Sequence, residues 1–430
     1  MKVLAIADSD SYVKWGASIL QRMPSDWSRE LVVIRTPALP SASQLDSALT
    51  ATGYTRAEAP LVDLEDLADI VAREQPDVLL LSVRGPVVRV LVRMVVAASA
   101  RRPFIVSGLP GISIPATMLA LYYRSQVDLV ILHSKREVQQ FRELASSLGI
   151  QQHFALSTLP FLAAPRALAG GSDIVFAAQA KVPKALEERE LLLRRLAECA
   201  RAMPERRVIL KLRGTTGEAQ THSERYPYDV LLAELDDRPE NLVISTGPMS
   251  QHLDSASALV TVSSTAAIEA MAMQVPVLAI DDFGVRAALI NTVFEGSGVL
   301  GSSLQLIDGD FRSPDQEWLD SNYFHDTSDE TWLTSIQAGV ARHQESPLPL
   351  RAQFRANLGG NVRRIWDRKR ALGQYDTSLE GHLVLAVGVP LRGAVRLLRR
   401  VRARLQPRPA EAAERSPQRD DSSTLSTRVG

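Results

Sequence analysis

The sequence predicts an α/β protein of two doubly wound parallel-sheet domains in tandem, facing each other across a cleft and followed by a basic helical tail. Three observations predict it. Short apolar runs alternate with helical patterns through the first third of the chain; strand, crossover helix and parallel strand in repetition wind such a sheet. The patterning lapses over "LPFLAAPRALAGGSD" (159–173), where Pro160, Pro165, Gly170 and Gly171 mark a linker, and then the same alternation restarts. The 430 residues, 45 % hydrophobic and 23 % charged, are enough for roughly two to three globular domains.

In order, "KVLAIAD", "ELVVIRT" (30–36), "DVLLLSV" (77–83), "PFIVSG" (103–108) and "DLVILHS" (128–134) read as strands. Their nearly unbroken apolar character is that of parallel strands covered on both faces. "LEDLADIVARE" (64–74) and "PVVRVLVRMVVAASA" (86–100) are helices between them. After the linker, "DIVFAAQ" (173–179), "RVILKLR" (207–213), "NLVIST" (241–246), "ALVTVSS" (258–264) and "VPVLAI" (275–280) are strands, with helices at 185–203 and 265–273. Patterning weakens beyond residue 310, and 328–372 reads as helical. The expected organisation is a first domain over 1–165, a second over 173–345, a helical segment over 346–375, and an amphipathic helix with a polar tail over 376–430. After Arg408 the chain is too poor in apolar residues to pack.

No run approaches the roughly 18 uncharged apolar residues that span a bilayer. The opening "MKVLAIADSD" reads as a first strand, because its apolar run is too short for a signal peptide. The single Cys199 excludes an internal disulfide and points to a reducing, cytoplasmic compartment. Formal charge sums to zero but is uneven: residues 351–430 carry +10 and residues 1–350 carry −10. An acidic body argues against general nucleic-acid binding by the body and leaves membrane surface, nucleic acid or a partner open for the basic tail.

Ligands of open α/β sheets bind beyond the carboxyl ends of the strands. "SSTAAIEAMAM" begins at such an end. Ser263, Ser264 and Thr265 either cap the helix or, with its free amides, hold a phosphate, and both can be true. Glu269 lies four residues after Thr265 on the same helix face, where it either meets solvent or accepts hydrogen bonds from two ribose hydroxyls. "KLRGTTGEAQTHSERYPYD" (211–229) is a polar loop at another strand end; Lys211, Arg213 and His222 can neutralise a diphosphate there, or be solvated. "ADSDSYVKWG" (7–16) follows the first strand, and Asp8 or Asp10 serves as a general base on an incoming hydroxyl or as a turn cap. In "SGLPGISIPAT" (107–117), Gly108 and Gly111 either permit close approach to a ligand or form a plain turn. In "HSKRE" (133–137), Ser134 and Glu137 have capping-box spacing, and His133 is a candidate for the cleft wall. "GSGVLG" (296–301) has the letters of a dinucleotide fingerprint but follows a helix-like stretch, so it is not read as one. No metal-site pattern appears. "HLVLAVGVPLRGAVRLLRRVRARL" spreads arginines around an apolar face, the form of a helix lying on anionic lipid over 383–405, or of a solvated or docking helix.

Taken together, the Ser/Thr turn, the helix Glu, "ADSDSYVKWG", "LPGISIP", "HSKRE" and "KLRG" resemble GT-B glycosyltransferases, in particular a bacterial family related to capsule and cell-surface polysaccharide enzymes. The resemblance covers residues 1–370 and implies two Rossmann-like domains, the C-terminal one holding a nucleotide-sugar. By that match Ser263, Ser264 and Thr265 contact donor phosphate and Glu269 the ribose. Two departures matter. Leu212-Arg213-Gly214 stands where capsule-type relatives carry a His-Pro pair, which argues against a CMP-sugar. Thr261 and Val262 stand where retaining enzymes carry a second acid, which favours inversion. Asp8 and Asp10 copy D-x-D of metal-dependent transfer but sit too early in the chain for it. The expectation is a metal-independent, inverting transferase with no cofactor. Its acceptor would be a cell-surface glycan or lipid-linked, and its place the inner membrane face. A sugar-nucleotide 2-epimerase and a non-catalytic glycan- or nucleotide-binding scaffold are the alternatives.

Overall fold

The computed structural model describes residues 1–50, 52–162, 170–212, 224–354 and 360–390. Residues Met1–Thr377 form one compact unit and Ser378–Gly430 another. Among the described residues the first unit holds two parallel sheets. The first contains β1 (Lys2–Ala7), β2 (Ser28–Ile34), β3 (Leu61–Val62), β4 (Val78–Ser82), β5 (Phe104–Gly108), β6 (Leu129–Leu132) and β7 (His153–Leu156), in the order β3-β2-β1-β4-β5-β6-β7. The second contains β8 (Asp173–Ala177), β9 (Val208–Lys211), β10 (Leu242–Ser245), β11 (Ala256–Thr261), β12 (Val277–Ile280) and β13 (Leu300–Gly301), in the order β10-β9-β8-β11-β12-β13. The winding is the same in both: the chain runs outward from the first strand, returns, and runs outward the other way. Strand order therefore reverses between β1 and β4, and again between β8 and β11. Those reversals open a crevice at the carboxyl end of each sheet.

Alternation along each strand explains why both faces are apolar. Leu4 and Ile6 join one core cluster, while Val3, Ala5 and Ala7 join the cluster on the opposite face. Ile174 and Phe176 part in the same way from Val175 and Ala177. The expected strands are present, each within about three residues at its ends, the usual scatter of such boundaries. β3, β7 and β13 were not among them.

The domain boundary differs from expectation. The helix Trp332–Glu345, expected in the second domain, packs on β5, β6 and β7 of the first. Trp332, Ile336 and Val340 belong to the same buried cluster as Phe104 and Val106. These apolar positions complete one face of the first sheet, so the chain crosses back near Glu330 rather than at 345. The expected helix over 328–372 is two helices: after Trp332–Glu345 the chain breaks, and Gly360–Leu372 then packs against the helix Gly85–Ala98. Residues 379–390 are helical, and 391–430 lie outside the described residues.

Candidate active site

The turn after β11 is organised by its own strand and by β8. Thr261 Oγ1 donates to the Ala177 carbonyl at 3.2 Å and accepts from the Ser264 amide at 3.1 Å. The Ser263 amide and hydroxyl both donate to Gln179 Oε1, at 3.1 and 2.9 Å. Gln179 follows β8, so this bond spans the crevice where the second sheet reverses. Ser264 Oγ accepts at 3.2 Å from the amide of Ala266, the first residue of the helix Ala266–Ala272, whose N-cap is Thr265. The three hydroxyl residues thus divide. Ser263 is buried and its hydroxyl is committed to Gln179, so its expected role on donor phosphate passes to shaping the turn. Ser264, Thr265 and Glu269 are half-buried on the outer side. Lys211, at the end of β9, is buried rather than solvated, and its Nζ donates to the Leu212 carbonyl at 2.8 Å. Arg213 and His222 lie outside the described residues.

In the first domain the corresponding crevice is bridged by an ion pair. Arg84, which follows β4, donates its amide to Asp8 Oδ1 at 3.1 Å and its Nε to Asp8 Oδ2 at 2.7 Å. Its Nη2 reaches Thr36 Oγ1, after β2, at 2.9 Å. Asp8 is fully buried; burial pushes its carboxyl above the usual range, and Arg84 beside it offsets only part of that rise. Both oxygens are held and solvent is excluded, so Asp8 positions Arg84 and is corrected as a candidate base. Asp10 opens the helix Asp10–Gln21, is exposed, and accepts from the Ser11 hydroxyl at 3.4 Å. It is the aspartate of the pair that solvent reaches.

His133 does not line a cleft. It is fully buried, accepts from Trp15 Nε1 at 2.7 Å through Nε2, and donates through Nδ1 to the Ser157 carbonyl at 2.8 Å. Burial lowers its pKa to about 4, so the ring is neutral at pH 7 with both nitrogens occupied. The rest of "HSKRE" forms a seam between the domains. Ser134 caps its helix by accepting from the Glu137 amide at 2.9 Å. Lys135 donates to Asp320 at 2.9 Å, and Arg136 to the Val293 and Thr292 carbonyls at 3.1 and 3.2 Å. Glu137, fully buried, does not return to the cap. Its oxygens accept from the His133 amide at 2.9 Å, the Ser113 amide at 2.7 Å and the Tyr323 hydroxyl at 2.7 Å. Tyr323 belongs to the core of the second domain. Glu137 thereby ties that domain to the loop after β5.

That loop carries Gly108 and Gly111, which have separate jobs. A Cβ on Gly108 would stand 2.2 Å from Trp15 Cζ2 and 3.0 Å from the Ile131 carbonyl, so the residue makes room for a buried indole rather than for a ligand. Gly108→Ala should cost roughly 1–3 kcal/mol by urea unfolding, the usual range for overpacking a core. A Cβ on Gly111 would lie 3.7 Å from Thr265 Cγ2, and Ile114, three residues on, is buried in the core of the second domain. The first domain's loop is therefore laid against the hydroxyl turn of the second. "GSGVLG" runs into the short β13 rather than directly into a helix. Among the described residues no three His, Cys, Asp or Glu side chains gather in a way that could hold a metal ion.

Residue-by-residue reading missed Gln179, Arg84, Tyr323 and Glu330. The first two carried a usable signal, since each is polar and stands just past the end of an apolar strand.

Two doubly wound domains, the loop after β5 of the first laid against the turn after β11 of the second, have the form of the GT-B class of α/β protein. The chain belongs to the family described as "Putative glycosyltransferase (DUF6716)", whose model matches residues 3–339. It is a glycosyltransferase of the GT-B fold. No curated protein matches it. Among solved structures, a "putative UDP-N-acetylglucosamine 2-epimerase" from Listeria monocytogenes is similar at TM-score 0.53 and 12 % identity, covering 83 % of this chain and 99 % of that one. A UDP-GlcNAc 2-epimerase from Neisseria meningitidis bound to UDP-GlcNAc is similar at 0.47 and 12 %, covering 80 % and 99 %. Phytolacca americana UGT2 complexed with UDP-2fluoro-glucose and pterostilbene is similar at 0.42 and 10 %, covering 80 % and 94 %. At 12 % identity the Listeria likeness is one of fold.

Proposed function

We propose that the enzyme transfers a sugar, with inversion and without a metal, from a nucleotide-sugar on its second domain to a hydroxyl of an acceptor on its first. The observation that carries this is the approach of the Gly111 loop to Thr265, which puts acceptor-side and donor-side elements next to each other. The half-buried Ser264 and Thr265 face the donor phosphates and Glu269 the ribose, with Lys211 at the end of β9. Asp10 takes the proton of the acceptor hydroxyl as its oxygen bonds to the anomeric carbon. The bond from that carbon to the phosphate oxygen breaks, and the nucleotide leaves with its electrons. Helix-terminal amides and hydroxyls stabilise the charge that develops there. The acceptor is a cell-surface glycan or a lipid-linked precursor, met at the inner face of a membrane.

A nucleotide-sugar panel tests the proposal, with UDP-N-acetylglucosamine as the first donor because the Listeria likeness names it. Asp10→Asn should leave nucleotide affinity unchanged by calorimetry and lower turnover with acceptor by on the order of 100-fold or more, the range for losing a general base. Unchanged turnover in that variant would remove Asp10 from the chemistry. Conversion of the donor alone, without acceptor, would favour a 2-epimerase, against the family assignment. Saturable nucleotide binding with no turnover across an acceptor panel would favour a binding scaffold.

A further inference from the structure

The transfer chemistry leaves the tail unused. Residues 379–390 are helical and belong to the unit Ser378–Gly430. Leu379, Leu383 and Val387 recur every fourth residue and so share one helix face. They are 82, 68 and 69 % exposed. Single apolar residues on a surface are ordinary, but a continuous exposed stripe marks an interaction site. From Leu383 to Leu391 the sequence carries no charged side chain, and residues 391–410 then hold seven arginines and no acid. Leu391, Val395, Leu398 and Leu405 continue the apolar spacing in sequence, although residues from 391 on lie outside the described ones. Among the described residues no helix is long and apolar enough to cross a membrane.

We propose that this helix is a docking surface for an anionic phospholipid bilayer. Leu379, Leu383 and Val387 enter the acyl boundary, and the run of seven arginines that follows in the sequence supplies the charge that anionic headgroups attract. Charge complementarity selects this occupant. An acidic protein surface would attract the arginines but return nothing for exposed leucines, whereas an anionic bilayer accepts both. The proposal uses no residue of the transfer site, so either can fail alone.

Co-sedimentation of the full chain with phosphatidylcholine vesicles, with and without phosphatidylglycerol, tests it. The chain should sediment with the anionic vesicles, and added salt should release it. Leu383→Glu/Val387→Glu and Arg399→Glu/Arg400→Glu should each weaken that binding by about ten-fold or more, with nucleotide affinity unchanged as evidence of folding. Three results would overturn the proposal: no sedimentation with anionic vesicles, undiminished binding by the Leu383→Glu/Val387→Glu variant, or a lipid-free dimer that this variant dissociates. The last would make the stripe a contact between two copies of the chain.

Discussion

Glu269→Ala is expected to weaken nucleotide binding by about 10- to 100-fold, the equivalent of roughly 1.5–3 kcal/mol for hydrogen bonds to a charged acceptor. Glu269 lies in the first turn of the helix Ala266–Ala272, and its amide bonds the Thr265 carbonyl at 3.4 Å. Its side chain thus stands one turn below the hydroxyls of Ser264 and Thr265. A ribose offers that carboxylate two adjacent hydroxyls, and a 2′-deoxyribose only one. The loss measured by calorimetry should therefore be larger for UDP than for dTDP. Equal affinity of the variant and the parent chain for UDP would show that the nucleotide lies elsewhere. Equal losses for UDP and dTDP would show that Glu269 shapes the turn without touching the sugar.

The second large effect is expected at the place where the chain crosses between domains. Glu330 accepts from Arg22 Nη2 through both oxygens, one at 2.7 Å, from the Thr158 amide at 2.8 Å and from Trp332 Nε1 at 2.9 Å. Arg22 also stacks over the Trp332 ring and donates to Ser157 Oγ at 3.0 Å. The outgoing segment at Thr158 and the returning one at Glu330 are clamped to the same arginine. Burial alone would raise the Glu330 carboxyl, but the hydrogen bonds from Arg22, Thr158 and Trp332 outweigh it and hold the pKa at about 2 against an ordinary 4.5. The depressed value means that the charged form stabilises the fold. That contribution is complete above pH 4.5 and lost as pH falls toward 2. At about 1.4 kcal/mol per unit it amounts to about 3 kcal/mol. Glu330→Gln should lower unfolding free energy at pH 7 by about 2–3 kcal/mol and flatten its decline on the acid side. A variant as stable as the parent at pH 7, with an unchanged acid limb, would show that the clamp contributes nothing.

Most of the secondary structure was legible because it is local. A parallel strand covered on both faces must be apolar throughout, and a helix repeats every 3.6 residues, so "DVLLLSV" and "LEDLADIVARE" announce themselves. β3 and β13 are two residues long, too short for any period to register. The helix Trp332–Glu345 was recognised but assigned to the wrong sheet, because its apolar face shows only that something is covered, not what.

By itself the sequence determined the class of fold, the doubled winding and the location of the hydroxyl turn with its acid, since each depends on neighbours a few residues away. Only the tertiary structure decided which polar groups are free. Asp8 and Arg84 are 76 residues apart, Ser263 and Gln179 are 84, Glu137 and Tyr323 are 186, and Arg22 and Glu330 are 308. A doubly wound sheet brings together strand ends that are remote along the chain, and the partners met there determine whether a carboxylate is a base, a clamp or a seam.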